Sequence, residues 1–299
     1  YRSYKLYKPI AVFHFTIKLN IYGTFAAFLL SIPVVNNITG MGTAFIHNNL
    51  TSIAVRMLYK LSQPLAHQIC CQNQEDFDLL AKQGLVPINK LILLPGSGVN
   101  LKRFYPGLRD AFRNQKRLFR FLFAGRMLSD KGLYELIEAM HILNTNNIEC
   151  ELWMCGFADA ANSSVIPAEI LEEWKTNQWV TWIGASDVVE DIMAQIDCLV
   201  LPSYREGMPK CILEANAMAL PVITTDVPGC RNIVSHNING LLCKSRDTLS
   251  LSKAMMYMVE MPEADRAEMG EAGRKLIAQN YDEQLVVQSA VDAVINNSV

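Results

Sequence analysis

Short apolar runs alternate along this chain with stretches whose apolar positions recur every three to four residues. The runs at 10–15, 33–37 and 67–71 are rich in Val, Ile, Phe and Cys and read as buried strands. Residues 21–31 and 52–62 between them carry helical spacing. NQEDFDLLAKQG is a short helix opened by an Asn cap, and KLILLPGSGVN is a strand closed by a glycine-rich turn. The same alternation continues with strands at 120–124, 150–155, 180–183, 198–201, 221–225 and 240–243. Apolar strands interleaved with helices predict an α/β chain whose parallel sheets are covered on both faces. In such folds ligands sit beyond the carboxyl ends of the strands, so those loops are where chemistry is to be sought.

The stretch 103–120 is basic, holds Pro106 and Gly107 and has no strand pattern, so it reads as a connection between two domains. The expected division is 1–105, a linker at 106–119, 120–282, and a C-terminal helix at 283–299 that packs back on the first domain. The chain opens with YRSYKLYKPIAVFHF, which reads as a helix end feeding a strand, and more of the first domain is expected upstream of it.

Composition narrows the function classes. Of 299 residues, 51% are apolar and 19% charged, which fits two packed domains. The most apolar stretch, 24–35, is broken by Ser31 and Pro33 and falls short of the roughly 18 residues a membrane span needs. No signal-peptide pattern is present. The eight cysteines include the neighbours Cys70 and Cys71 but form no Cys-x-x-Cys and no Cys/His cluster, so reduced thiols and a cytoplasmic location are expected. Charge is uneven: residues 1–120 hold 15 Lys and Arg against 4 Asp and Glu, and residues 121–299 hold 12 against 25. A basic half suits anionic lipid headgroups, a diphosphate-bearing acceptor, nucleic acid or plain solvent. No nucleic-acid motif accompanies it, so no nucleic-acid partner is expected.

Two loops stand out. After the strand ending in FLFA comes GRMLSDKG, with Arg126 and Lys131 flanking the turn into a helix whose Leu133, Leu136, Ile137 and Met140 share one face. Two cations beside a helix N-terminus can hold an anion. After CLVLPS comes YREGMPKCILEA, in which Glu206 precedes Gly207, Pro209 is placed at the first helical turn, and Glu214 lies further into that helix. A diphosphate there would meet backbone amides and both cations without a metal, while Glu214 could accept from neutral hydroxyls. Taken alone, the cations also read as solvated loop charges and the glutamates as carboxylates favoured by the helix dipole. Asp76 and Asp78 form Asp-x-Asp but sit at a helix start, so no metal site is expected. His14, at a strand end, is read either as a contact to acceptor or donor or as structural, and Lys18 after it as a contact to an acceptor phosphate. His47, His67, His141 and His236 form no constellation.

GRxxxxKG, EGMPxxxLEA and PVITTDVPG, in this order and spacing, resemble the donor domain of retaining glycosyltransferases of the GT-B fold, family 4. The likeness covers nearly all of 90–299, beginning with GSGVNLKRF. FTIKLNIYGTFAAFLLSIPVVNNITGMG with CQNQEDFD is similar to the subgroup that acts on undecaprenyl-diphosphate-linked saccharides using UDP-sugars. The resemblance implies two Rossmann-like domains facing across a cleft, the first incomplete in this sequence. It also implies a metal-independent transfer of a hexose or N-acetylhexosamine to a lipid-linked acceptor in capsule, O-antigen or exopolysaccharide synthesis. On that footing Arg126 and Lys131 meet the donor diphosphate, Glu214 the ribose and Glu206 the sugar near the reacting carbon. Gly98, Gly207, Met208, Pro209, Lys210 and Leu213 complete the cradle, and the base lies near Gly156, Ile183 and Gly184. Arg126, Lys131 and Glu206 are the expected catalytic residues. The protein is expected at the cytoplasmic membrane's inner face, held peripherally on anionic lipid.

Asn216 and Ala219 stand where the family usually has Met and Gly, and Leu19 where the subgroup often has Pro. A UDP-sugar epimerase of the same fold and a catalytically incomplete sugar-nucleotide-binding module are the alternatives, the Glu-x7-Glu pair with GRxxxxKG arguing for transfer.

Overall fold

A computed structural model of the chain describes residues 1–40, 50–112, 117–158 and 162–295. His47, the end of the TGMG run and residues 113–116 of the expected linker lie outside the described residues. The chain divides into two packing units: Tyr1–Gly98 with Glu206–Met208 and Glu283–Val299, and Val99–Arg205 with Pro209–Asp282.

In the first unit, helix α1 (Arg2–Tyr7) leads to strand β1 (Val12–Phe15), then β2 (Val34–Ile38), β3 (Gln68–Cys71) and β4 (Leu91–Leu93), paired in that order and all parallel. Alternate residues of β2 and β3 serve opposite faces, as the pleat requires. Val34, Ile38, Ile69 and Cys71 join one core with Ile21, Tyr59 and Leu80, whereas Val35 and Cys70 join another with Leu94 and Ala290. Ala290 belongs to the last helix, α11 (Glu283–Ile295). Helices α3 (Leu50–Ser62) and α4 (Gln74–Lys82) connect the later strands. Asn73 caps α4 by accepting from the Asp76 N–H (2.8 Å) and donating to Asp76 Oδ2 (3.1 Å), which gives Asp76 a structural role in the Asp-x-Asp pair.

The helix expected at 21–31 has a different start. Residues Leu19–Gly23 form a π-helical turn, followed by α2 (Thr24–Phe28). The cause is a claim on one carbonyl: Asn20 O accepts from Thr24 Oγ1 (2.8 Å), Gln63 Nε2 (2.9 Å) and Asn36 Nδ2 (3.3 Å). Side-chain donors inserted into the ladder displace the usual bond four residues on, and the turn widens.

The second unit holds β5 (Phe119–Ala124), β6 (Cys150–Cys155), β7 (Val180–Gly184), β8 (Cys198–Leu201), β9 (Val222–Thr225) and β10 (Gly240–Cys243). Their order is β10-β9-β8-β5-β6-β7 and every pairing is parallel. Phe121, Leu122 and Phe123 on β5 are wholly buried, as expected of a strand covered on both faces; each such side chain contributes about 1.5–3 kcal/mol by leaving water. Helices α5 (Leu133–Thr145), α6 (Ala168–Lys175), α7 (Val189–Met193), α8 (Lys210–Ala217), α9 (Thr248–Glu260) and α10 (Glu263–Asn280) complete it. Strand order reverses at β5 and β8, which places the loops after these two strands side by side. That is the switch point at which open α/β sheets hold ligands. Seven of the eight cysteines are buried, and burial pushes the Cys70 thiol up to about 12.

Candidate functional site

The loop after β5 is stitched down by backbone bonds. Gly125 N–H donates to the Cys155 carbonyl (2.9 Å), Met127 N–H to Phe157 (3.0 Å) and Ser129 N–H to Ser164 (2.7 Å). Arg126 is exposed at the start of this loop. Lys131 ends the 3-10 turn Ser129–Lys131, which gives way to α5 through Gly132 at φ 74°. A Cβ on Gly132 would overlap the Pro202 carbonyl oxygen, so only glycine lets the turn lie against the end of β8. From that end Tyr204 N–H donates to the Asp130 carbonyl (2.9 Å), and Tyr204 Oη to Glu135 Oε1 (2.7 Å). The Arg246 guanidinium stacks 4.2 Å over the Tyr204 ring. The turn bearing Lys131 is thus fixed to the strand end that leads into the second loop.

The neighbouring strand ends are equally close. Gly156 N–H donates to Gly184 O (2.8 Å), and Gly156 O accepts from Trp182 Nε1 (3.0 Å). A Cβ on Gly156 would overlap the Gly125 carbonyl oxygen. Ile183 and Gly184 end β7, with Ile183 37% exposed. The loops after β5, β6, β7 and β8 therefore converge at one edge of the sheet.

Helix α8 opens at Lys210, and Pro209 stands one residue outside it as an N-cap with extended ψ of 114°, rather than within the first turn. Leu213 faces the core. Glu214 has a largely buried side chain, 12% exposed, with Lys210 Nζ 3.6 Å from its Oε1. Burial raises its pKa, opposed by Lys210 and Arg103. The positive end of α8 and the cations of the β5 loop make this edge suited to a diphosphate, with Glu214 placed to accept from hydroxyl groups.

Glu206, Gly207, Met208 and Gly98 belong to the first packing unit. There Gly207 O accepts from Asn73 Nδ2 (2.8 Å). Gly98 has φ 70°. His14 is 3% exposed; its Nε2 meets Tyr4 Oη at 2.6 Å and its Nδ1 meets Asn36 Oδ1 at 2.9 Å. Both ring nitrogens are spent inside the unit, and burial lowers the pKa. Lys18 is exposed. Among the described residues no group of three or more His, Cys, Asp or Glu could hold a metal ion.

Sequence reasoning missed Tyr204, Glu135 and Arg246, and also Arg103. Arg103 lies in the basic stretch read as a connection. Its Nε donates to Glu190 Oε1 (2.8 Å) and its Nη2 to Glu190 Oε2 (2.7 Å) in the first turn of α7, and Nη2 also to the Asp187 carbonyl (2.5 Å) on the loop before it. No local signal marks these partners.

The family model described as glycosyl transferases group 1 matches residues 107–276. The chain is 28% identical over 298 residues to the N,N'-diacetylbacillosaminyl-diphospho-undecaprenol alpha-1,3-N-acetylgalactosaminyltransferase of Campylobacter jejuni, covering 94% of this chain and 76% of that protein. It is 25% identical over 254 residues to the UDP-Gal:alpha-D-GlcNAc-diphosphoundecaprenol alpha-1,3-galactosyltransferase of Escherichia coli, covering 81% of this chain and 64% of that one. Among solved structures, Anabaena Alr3699/HepE in complex with UDP-glucose superposes with a TM-score of 0.83 at 17% identity, covering 96% of this chain and 79% of that one. The architecture of two Rossmann-like units is that of the GT-B fold.

Proposed function

The chain belongs to the glycosyl transferases group 1 family, and we propose that it moves a hexose or N-acetylhexosamine, with retention and without a metal, from a UDP-sugar to a lipid-linked saccharide in bacterial capsule, O-antigen or exopolysaccharide synthesis. One observation supports the donor site most directly: β5 and β8 are neighbours, so the turn carrying Lys131 lies fixed against the strand that leads into EGMPKCILE. The two relatives whose names specify undecaprenyl-diphosphate-linked acceptors support the acceptor class.

In this reading the acceptor hydroxyl oxygen bonds to the anomeric carbon as that carbon's bond to the UDP phosphate oxygen breaks. The departing phosphate oxygen takes the hydroxyl proton. Negative charge grows on UDP, and Arg126, Lys131 and the amides at the start of α8 stabilise it more in the transition state than in the ground state. Glu214 accepts from ribose hydroxyls, Glu206 orients the sugar, and the base sits by Gly156, Ile183 and Gly184. The basic part of the chain holds the protein peripherally on the inner face of the cytoplasmic membrane. No described helix is long and apolar enough to cross a membrane.

The test is incubation with labelled UDP-sugars and polyprenyl-diphosphate-linked acceptors. Transfer is expected, with Lys131→Ala lowering kcat by about 10²–10³. Equal turnover in Lys131→Ala and the parent chain would refute the role of that cation. Sugar-nucleotide interconversion without acceptor would make the protein an epimerase, and UDP binding without turnover a binding module.

A further inference from the structure

The first unit presents an apolar surface that its own core leaves open. On α3, Ser52, Tyr59 and Ser62 turn inward and are buried, while Ile53, Met57 and Leu61 are 62%, 66% and 57% exposed. Their spacing of four puts the three on one helical face. Helix α3 packs against the π-helical turn Leu19–Gly23, whose own outward residues are Leu19 and Tyr22, 49% and 62% exposed. Single exposed apolar residues need no explanation; a stripe along a helix does.

The charge of this part of the chain points to the occupant. No Asp or Glu occurs in residues 1–74, the first being Glu75, while Arg2, Lys5, Lys8, Lys18, Arg56 and Lys60 fall in that span. Lys60 is exposed on α3, and Lys18 is exposed immediately before the turn. A helix with apolar residues outward, cations beside them and no carboxylate matches the interface of an anionic bilayer, where apolar side chains enter the acyl boundary and lysines meet headgroup phosphates. The tyrosine ring with its polar hydroxyl suits the same depth.

We infer that α3, through Ile53, Met57 and Leu61, together with the turn bearing Leu19 and Tyr22, is the surface by which this protein lies on an anionic phospholipid membrane. The inference rests on the lipid-linked acceptor proposed above and adds which face meets the lipid.

The experiment uses the whole chain and its triple variant Ile53→Gln/Met57→Gln/Leu61→Gln. All three sites are exposed, and glutamine keeps good helix propensity, so the fold is expected to persist with unchanged circular dichroism and Tm. Flotation is measured with phosphatidylglycerol/phosphatidylethanolamine vesicles and with phosphatidylcholine vesicles. The parent chain is expected to float with the anionic vesicles far more than with the zwitterionic ones, and the variant to lose at least about tenfold in partitioning. Parent protein that stays behind, a variant that floats equally well, or equal binding to both vesicle types would each overturn the inference. So would a parent dimer that the variant converts to monomer, since the stripe would then face a second copy. Transfer to a water-soluble acceptor analogue is measured in parallel. Its absence from the parent chain, with vesicle binding intact, defeats the proposed function and leaves this surface standing.

Discussion

Asn216 offers a direct test of packing in the second unit. It lies on α8, is wholly buried, and neither its Nδ2 nor its Oδ1 has a hydrogen-bond partner. A buried amide left unpaired costs about 1–3 kcal/mol. Its Oδ1 sits so close to Gly273 on α10 that a Cβ there would overlap it. The substitution Asn216→Met removes the polar atoms and introduces an unbranched side chain that adapts to irregular space. The added volume works in the other direction, with overpacking costing about 1–3 kcal/mol where neighbours cannot give. Because Gly273 already allows close approach, a net gain of about 1 kcal/mol is expected, which for a unit of this size raises Tm by roughly 2–4 °C. All four tryptophans, Trp153, Trp174, Trp179 and Trp182, lie in the second unit, so their fluorescence follows its unfolding alone. The urea midpoint should rise at unchanged m-value. Asn216→Ala separates the two terms, since it removes the amide without adding volume. A lower midpoint in both variants would show that the amide is not a liability and refute the reasoning.

Two further outcomes follow from the geometry. Burial raises the Glu214 pKa above the usual carboxylate range despite Lys210 and Arg103, so the folded state binds this proton more readily than the unfolded chain. That penalty on stability is absent below the unfolded pKa and fully present above the folded one; UDP affinity runs the other way, weakening as pH falls through the raised pKa because only the ionised group accepts from two hydroxyls. Calorimetric titration of UDP toward acid pH should show a loss of affinity in the parent chain beyond that in Glu214→Gln, and a parallel decline in both would exclude Glu214 as the titrating group. Gly132→Ala forces a side chain into a left-handed conformation against the Pro202 carbonyl, costing about 1–3 kcal/mol and loosening the Lys131 turn; an unchanged urea midpoint and unchanged UDP affinity would show that the turn does not need glycine.

The strands were legible because each centres on a short run rich in apolar residues, and their observed limits differ from the expected ones by two residues at most. Features made by distant partners were not. The π-helical turn arises because donors at 24, 36 and 63 converge on one carbonyl, and no window around Asn20 contains them all. Tyr204 stands two residues before Glu206, yet its partner Glu135 is 69 residues away. Arg103 reads as part of a connecting stretch in the sequence because its partner, Glu190, is 87 positions on. The glycines at 132 and 156 were visible as turn residues, but the carbonyl each one faces comes from another strand end.

The two glutamates of EGMPKCILE illustrate how geometry separates residues that a motif joins. Glu214 is fixed on a helix, largely buried, with an ammonium 3.6 Å away, so that when ionised it can accept from hydroxyl groups. Glu206 packs with a different unit from Glu214. A general acid and base working as a pair need environments that push their pKa values apart around one reacting atom, and a retaining mechanism through a covalent intermediate needs a carboxylate nucleophile held at the anomeric carbon. In the proposed reading it is instead the positive end of α8, with the cations of the β5 turn, that meets the donor. Such an array acts on charge that develops on a leaving diphosphate, and its contribution depends on how firmly that turn is held. The bonds from Tyr204 to Asp130 and Glu135 are therefore as much a part of the proposed chemistry as Lys131 itself.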